Sequence, residues 1–434
     1  MKIKTIEKSY DEVMAIPRAK HVLPKKPSVF FRTLARILSQ LDLWKARFRY
    51  TGSIDKKGGP YFILMNHSSF IDLKIAHKLL YPMPFHVVCT HDALIGKRFL
   101  MRNLGCIPTK KFVSDVALIH DIKHVIDKGR SVLMYPEAGY TFDGRATVMP
   151  KLGKLIKHLG VPVVYIETKG AFARDPLYNG LQIRRVPVSA DVSVLIDGDG
   201  VGSMSAEEID ARLSLAFSFD NFAWQRENKV AITEGFRADG LERVLYKCAH
   251  CGCEQKMRGE GVKLTCDACK KSYTMTEYGE LSADSGETEF SHIPDWYEWQ
   301  RAEVRRELEE GRYTLDIPVN IGIMRDYKAL YTVGTGRLVH TLEGFYLTGC
   351  DGKLEYRQAA LASYGLNADF FWYEIGDIIC IGDSSTLYYC FPPKEISVTK
   401  ARLAAEELYK LHADSAYHHE HMMEHLPHRA KGTN

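Results

Sequence analysis

Short apolar runs alternate with amphipathic stretches from Tyr61 to about Asp197. The apolar runs predict buried strands, and the amphipathic stretches predict helices. The predicted strands are Tyr61–Met65, Phe85–Thr90, Ser131–Tyr135, Val161–Thr168 and Ser193–Ile196, and the most distinct helices are Asp115–Lys128 and Lys151–His158. This alternation favours a layered α/β domain with a central sheet flanked by helices.

Residues 28–50 have the pattern of an amphipathic helix. Seven apolar side chains fall within about 120° of one another at helical spacing, namely Phe30, Leu34, Ile37, Leu38, Leu41, Trp44 and Phe48. Arg32, Arg36 and Arg47 lie on other faces. An aromatic face bordered by arginines fits a helix lying in a membrane interface. The same face would also suit packing onto the α/β core, so both interpretations stay open.

The second half of the chain has a β-rich pattern. A polar linker at residues 282–289 precedes a charged helix that ends at about Glu310. Strands are then predicted at Tyr313–Ile317, Ala329–Thr332, Arg337–Thr341, Gly344–Thr348, Phe370–Ile375, Ile378–Ile381 and Leu387–Phe391. A final helix follows from Lys394 to Leu411. Short strands closed by one C-terminal helix resemble the pleckstrin-homology-like architecture in element order alone.

These patterns divide the 434 residues into five segments. They are a basic amphipathic N-terminus at 1–50, an α/β domain at 51–235, a cysteine-containing segment at 243–280, a β-rich accessory domain with its terminal helix at 290–411, and a tail at 412–434. The tail contains His412, His418, His419, His421, His425 and His428. We expect it to be disordered with incidental metal affinity, functional metal binding being the alternative.

Composition and targeting signals favour a cytoplasmic protein. Hydrophobic residues make up 45% and charged residues 26% of the chain, as in ordinary soluble proteins. The first eight residues lack the apolar core of a signal peptide. No run approaches the roughly 18 apolar residues of a spanning helix. The ten cysteines are scattered, which favours a reducing compartment over a disulfide framework.

The charge is distributed unevenly. Residues 1–60 contain fourteen Lys or Arg and five Asp or Glu, a local charge of +9 within a chain of net charge +4. A basic end suits an anionic partner, either lipid headgroups or nucleic acid. The alternative is a set of solvated lysines that keep the protein soluble. We predict a peripheral protein on the inner face of the membrane.

Two Cys-x-x-Cys pairs predict a metal site. Cys248 and Cys251 are followed fourteen residues later by Cys266 and Cys269. Paired knuckles are typical of a zinc ribbon, because four thiolates complete a tetrahedral shell. A redox Cys-x-x-Cys is the weaker competitor, and His250 and Cys253 are spare ligands. A closed four-sulfur shell has no open position, so the predicted Zn²⁺ is structural.

A histidine and a carboxylate follow the first predicted strand of the α/β domain. His67 and Asp72 lie five residues apart, about 140° around a regular helix, so they cannot meet if both are helical. They can meet if His67 lies in the loop and Asp72 one turn into the next helix, with Ser68 or Ser69 as its N-cap. The carboxylate would then fix the imidazole tautomer and strengthen the base. A histidine in an ordinary loop is the alternative.

Four ordered blocks give the first half its resemblance to a known family. They are Asn66-His67-Ser68-Ser69-Phe70-Ile71-Asp72, Gly105-Cys106-Ile107-Pro108-Thr109-Lys110-Lys111, Tyr135-Pro136-Glu137-Ala138-Gly139 and Gly160-Val161-Pro162-Val163-Val164-Tyr165. In these blocks the chain resembles the 1-acylglycerol-3-phosphate acyltransferase family over residues ~50–235. The resemblance implies acyl transfer from a thioester, acyl-CoA or acyl carrier protein, to a lysophospholipid hydroxyl, without an organic cofactor. His67 is then the general base and Asp72 its orienting carboxylate.

The resemblance also implies an acceptor-binding set. Its members are Asn66, Gly105, Lys110, Lys111, Glu137, Gly139 and Arg145. Two blocks depart from the family pattern, because Lys110 and Lys111 stand where arginine is usual and Tyr140 replaces the arginine of the third block. Arg145, Lys151 or Lys154 could supply that charge. Lysophosphatidate is therefore only the default acceptor.

Two other functions remain as alternatives. One is a thioester hydrolase that uses the His67–Asp72 pair on water. The other is a non-catalytic zinc-ribbon protein that binds nucleic acid, which the sparse basic residues around the ribbon disfavour.

Overall fold

The computed structural model describes residues 2–113, 115–145 and 151–424. The N-terminal segment contains strand β1 (Thr5–Glu7) and helices α1 (Tyr10–Ala15) and α2 (Val29–Lys45). None of the described helices is long and apolar enough to cross a bilayer.

A seven-stranded sheet forms the centre of the first half. Its strands are β2 (Arg49–Thr51), β3 (Phe62–Met65), β4 (Phe85–Thr90), β5 (Cys106–Thr109), β6 (Ser131–Met134), β7 (Val163–Lys169) and β8 (Ser189–Ile196). The spatial order is β2-β8-β7-β3-β6-β4-β5, and every neighbouring pair is parallel except β7 with β8. The helices around the sheet are α3 (Asp72–Leu80), α4 (Arg98–Leu104), α5 (Val116–Asp127), α6 (Gly153–Leu159), α7 (Ala171–Arg174), α8 (Gly198–Ser203), α9 (Ala206–Ala216) and α10 (Asn221–Glu227).

Strand β3 shows why this domain has three layers. Successive side chains of a strand point to opposite faces of its sheet. Ile63 and Met65 belong to the apolar cluster under α2 and α3, whereas Phe62 and Leu64 belong to the cluster under α5, α6 and α9. All four strand residues are buried, so helices cover both faces. The predicted α/β class is confirmed.

The cysteine-containing segment folds into a four-stranded antiparallel sheet. Its strands are β9 (Met257–Glu260), β10 (Lys263–Cys266), β11 (Ser272–Met275) and β12 (Leu281–Ala283), in the order β12-β11-β10-β9. Tyr273 and Leu264 are fully buried in it.

The remainder is β-rich and lies between two long helices, α11 (Ile293–Glu309) and α12 (Thr399–Glu424). The strands are β13 (Leu315–Ile323), β14 (Leu330–Thr341), β15 (Gly344–Gly349), β16 (Leu354–Ala359), β17 (Asn367–Trp372), β18 (Gly376–Gly382) and β19 (Leu387–Phe391). They form one antiparallel sheet in the order β16-β15-β14-β13-β19-β18-β17, and β1 joins it in parallel with β14. A β-rich region ending in a helix is confirmed.

Several sequence predictions of element bounds were wrong. The N-terminal helix ends at Lys45 rather than residue 50, because Arg47 adopts φ 47° and its N–H bonds the Trp44 carbonyl in a left-handed helix cap. The two strands predicted at 329–332 and 337–341 are one strand, β14, with a register shift opposite Gly322. The final helix continues to Glu424, through residues predicted as tail. His425 and His428 lie outside the described residues.

One apolar core crosses the predicted domain boundaries. It includes Phe142 and Phe222 from the first half, Tyr273 from the cysteine segment, and Phe370 from β17. Phe142 and Phe370 stack with their ring centres 4.1 Å apart. The segment boundaries predicted from the sequence stay predictions, but the described parts of the chain share buried side chains.

Candidate active site

The loop between β3 and α3 brings His67 and Asp72 together. His67 Nδ1 lies 3.1 Å from Asp72 Oδ2. The same oxygen accepts the Ser68 and Ser69 backbone N–H groups at 2.8 and 3.0 Å. An oxygen that accepts two backbone N–H groups is held in place, and its charge favours the proton on Nδ1. No hydrogen bond within the described residues involves His67 Nε2, which leaves that nitrogen as the basic atom.

The start of α3 differs from the prediction. Asp72 is the first residue of the helix, rather than a residue one turn into it, and the helix N-cap position is Ile71. Ser69 instead accepts the Ile71 N–H with its hydroxyl and donates that hydroxyl to Asp175. The loop is tighter than predicted because the Asp72 carboxylate folds back onto the N–H groups that precede the helix.

Two tyrosine rings enclose the imidazole of His67. Tyr135 stacks on it with ring centres 4.1 Å apart, and Tyr140 lies on it at 4.2 Å. Burial lowers the pKa of His67, Asp72 opposes that shift, and the Lys111 charge adds to it. The imidazole is therefore neutral at physiological pH, as a general base must be. No pattern in the sequence indicated these ring contacts, although Tyr135 and Tyr140 lie within and beside the third block.

Two residues of the predicted acceptor set, Asn66 and Glu137, hold the loop between β3 and α3 in place. The Asn66 side chain bonds the backbone of Thr168 on β7 twice, at 2.9 and 2.7 Å. Glu137 accepts the His67 N–H at 2.6 Å. Burial raises the pKa of Glu137 to about 8, so its carboxyl is largely protonated at pH 7. Both residues position His67 through the backbone.

The two glycines of the set have different surroundings. Gly105 ends α4 in a left-handed conformation at φ 89°, and a Cβ there would lie 2.6 Å from Pro27. This geometry accounts for Gly105 as a helix cap. At Gly139 the nearest atom to an added Cβ would be Lys111 Nζ at 3.8 Å. Gly139 thus borders the lysine nearest the imidazole.

The three cations predicted for the acceptor all have protein partners. Lys110 donates to the Ser384 carbonyl, and Lys111 lies 3.9 Å from Asp369 Oδ2. Arg145 bonds Asp143 at 3.3 Å and also donates to the Pro294 carbonyl at the start of α11. The structure therefore brings Lys111 to the imidazole and directs Lys110 and Arg145 toward the C-terminal half.

The β-rich region contributes to the site through β17. Asp369 is 8% exposed and faces Lys111, while the next residue, Phe370, stacks on Phe142. Burial raises the pKa of Asp369 to about 6. Burial, then the charge of Asp72 and then that of Asp369 raise the pKa of Tyr140, which covers His67. Sequence reasoning missed Asp369 because it lies about 300 residues from His67 and in no motif.

The four predicted metal ligands converge in the ribbon. The sulfurs of Cys248, Cys251, Cys266 and Cys269 lie within 4.8 Å of one another. Cys248 to Cys269 and Cys251 to Cys266 each measure 3.8 Å. Zn–S bonds of about 2.3 Å at tetrahedral angles separate sulfurs by about 3.8 Å. The four thiols could hold a metal ion, and the identification of zinc stays a prediction. His250 instead bonds Glu289.

Comparison with known proteins concerns the first half of the chain. Residues 47–166 match the family model described as Acyltransferase, which confirms the resemblance predicted for this part of the chain. No curated protein matches the sequence. Among solved structures the chain is similar to the 1-acyl-sn-glycerophosphate (LPA) acyltransferase PlsC from Thermotoga maritima, with 16% identity and a TM-score of 0.35 over 43% of this chain and 76% of that one.

Proposed function

We propose that the protein transfers a fatty acyl group from a thioester, acyl-CoA or acyl carrier protein, to the hydroxyl of a lysophospholipid in phospholipid synthesis. The observation that carries this proposal is the His67–Asp72 pair, whose imidazole lies between two tyrosine rings inside the segment that matches the acyltransferase family. The resemblance in the four sequence blocks supplies the acceptor class, with 1-acylglycerol-3-phosphate as the reference acceptor.

The geometry supports direct attack by the acceptor. The acceptor oxygen attacks the thioester carbonyl carbon while His67 Nε2 takes its proton. Asp72 stabilises the imidazolium that forms. The tetrahedral intermediate then expels the thiolate, which recovers the proton from His67. The backbone N–H groups around Gly139 are our candidates for holding the oxyanion.

We further propose that α2 docks on the inner face of the membrane. Its outer face exposes large apolar side chains that a soluble surface rarely groups together, namely Phe30 (68% exposed), Ile37 (62%), Leu38 (67%), Leu41 (58%) and Trp44 (76%). Phe99 of α4 extends this surface at 73% exposed and contacts Phe31. On the other side of α2, Leu43 packs into the core. The basic N-terminal segment suits anionic headgroups.

Purified protein with labelled acyl-CoA or acyl carrier protein and a lysophospholipid panel tests the activity. We expect diacyl product from the wild type and at least a 100-fold lower rate from His67→Ala. His158→Ala is the matched control, because His158 is an exposed residue of α6. Equal rates for the wild type and His67→Ala would refute the assignment of His67 as the general base. Free fatty acid without acylated acceptor would identify a hydrolase instead, and salt-sensitive nucleic-acid binding without vesicle binding would favour the non-catalytic alternative.

A further inference from the structure

Among the described residues, the three cations predicted to bind the acceptor do not form a free phosphate site. Lys110 is bound by a carbonyl of the β18–β19 loop, and Arg145 by Asp143 and a carbonyl of α11. Lys111 is the cation whose charge acts on His67, and it is paired with Asp369. A phosphate monoester carries close to two negative charges at pH 7. One lysine whose charge is partly neutralised by Asp369 is a poor match for those two charges.

Asp369 is itself incompletely satisfied. Its Oδ1 is buried and accepts no hydrogen bond from any described residue, while Oδ2 faces Lys111 at 3.9 Å. A buried carboxylate oxygen without a donor is costly unless a ligand or water supplies one. Oδ1 therefore suits a cationic donor that the described residues do not provide.

The surroundings of Asp369 favour positive charge. Asp92, which raises the pKa of Asp369, receives the Trp372 indole N–H at 2.9 Å. Lys111 and Arg402 act in the opposite direction, and Arg402 is held by Glu406 at 3.1 Å while lying over the Phe142 ring. An ammonium group beside Asp369 would offset the negative charge of this carboxylate, whereas the second negative charge of a phosphate monoester would add to it.

We infer that Asp369 and Lys111 together bind the acceptor headgroup and select a zwitterionic lysophospholipid with a primary ammonium group. Lys111 binds the single phosphodiester charge, and Asp369 accepts the ammonium N–H bonds. This inference rests on the proposed function, since it names the acceptor of the same site. It assigns the β-rich region, which lies outside the family match, a role in acceptor specificity.

The test compares kcat/KM for acceptors that share one acyl chain and differ in headgroup. Lysophosphatidylethanolamine has the ammonium, lysophosphatidylcholine has a cation without N–H donors, and lysophosphatidate has the phosphate monoester. A hydrogen bond to a charged group changes affinity by about 10- to 150-fold. The wild type should therefore prefer lysophosphatidylethanolamine to both others by at least about tenfold.

Asp369→Asn should reduce this preference by about tenfold or more, and Asp369→Glu should restore part of it. A merely structural ion pair would lower the rates for all acceptors equally, and that result would overturn the inference. Urea unfolding checks that each variant is folded. Independently of any variant, glycerophosphoethanolamine should inhibit the wild type more strongly than glycerol 3-phosphate.

The two proposals fail in distinguishable ways. If the wild type acylates lysophosphatidate best, the proposed acyltransfer stands and the headgroup inference is wrong. If the wild type acylates no lysophospholipid with either donor, the proposed function is wrong and the inference falls with it.

Discussion

Replacing Asp72 with asparagine should remove most of the activity and leave helix α3 in place. Asparagine has nearly the same shape and is also favoured at helix N-termini. Its carbonyl can still accept the Ser68 and Ser69 N–H groups that Oδ2 accepts now. If the amide oxygen faces Nδ1, the contact lacks the negative charge that stabilises a His67 imidazolium. If the amide nitrogen faces Nδ1 instead, its N–H donates to Nδ1 and the ring proton moves to Nε2.

The magnitude follows from the single 3.1 Å contact between Asp72 and His67. A hydrogen bond to a charged group contributes about 1.5–3 kcal/mol, or about 10- to 150-fold in rate. Reversal of the tautomer removes the base itself and can cost about 10⁴-fold. We therefore expect kcat to fall by about 10²- to 10⁴-fold.

The assay measures kcat and the pH–rate profile at saturating acceptor, with urea unfolding as a check on folding. Asp175→Asn is the matched control, because Asp175 is a buried carboxylate at the end of α7 that bonds Arg174 and Ser69 of the His67 loop. It should change kcat by less than about tenfold, since it makes no contact with His67. A folded Asp72→Asn protein that retains more than a tenth of the wild-type kcat would refute the assigned role.

Three further predictions concern stability, metal and membrane. Burial raises the pKa of Glu137 to about 8, so the folded chain keeps a proton that the unfolded chain releases, and stability falls as pH rises from about 4.5 to 8. Glu137→Gln should therefore reduce the loss between pH 6 and pH 8 by about 2 kcal/mol in urea unfolding, and an unchanged slope would contradict the pKa. Cys266→Ser should lower the zinc content measured by mass spectrometry and destabilise the chain, unlike the exposed Cys253→Ser, and full occupancy in both would exclude the ribbon. Ile37→Asp should weaken binding to anionic vesicles by about tenfold or more, whereas Leu215→Asp, at an even more exposed position on α9, should have no effect.

Hydrophobic periodicity predicted five of the seven strands of the sheet in the first half, and missed β2 and β5. Phe85–Thr90 was predicted to the residue, and β3 and β6 to within one residue. These strands are buried on both faces, so their sequences are continuous apolar runs. The His67–Asp72 contact was also predictable, because a five-residue spacing after a strand allows few geometries.

Other features had no local signal in the sequence. The end of α2 depends on Arg47 adopting a left-handed conformation that usually belongs to glycine. Edge strand β2 is three exposed residues long, and its position is fixed by pairing with β8, about 140 residues away. The Asp369–Lys111 contact likewise depends on how β17 packs against Phe142. Long-range packing determines all three.

The core that contains Phe142, Phe222, Tyr273 and Phe370 also limits how this protein can be divided. A fragment ending near residue 235 would retain every residue of the His67 loop but would expose the large aromatic side chains that now pack against the ribbon and β17. Exposed patches of this kind promote aggregation. The first half therefore depends on the C-terminal half to cover its aromatic side chains, and truncation near residue 235 should give an aggregation-prone protein.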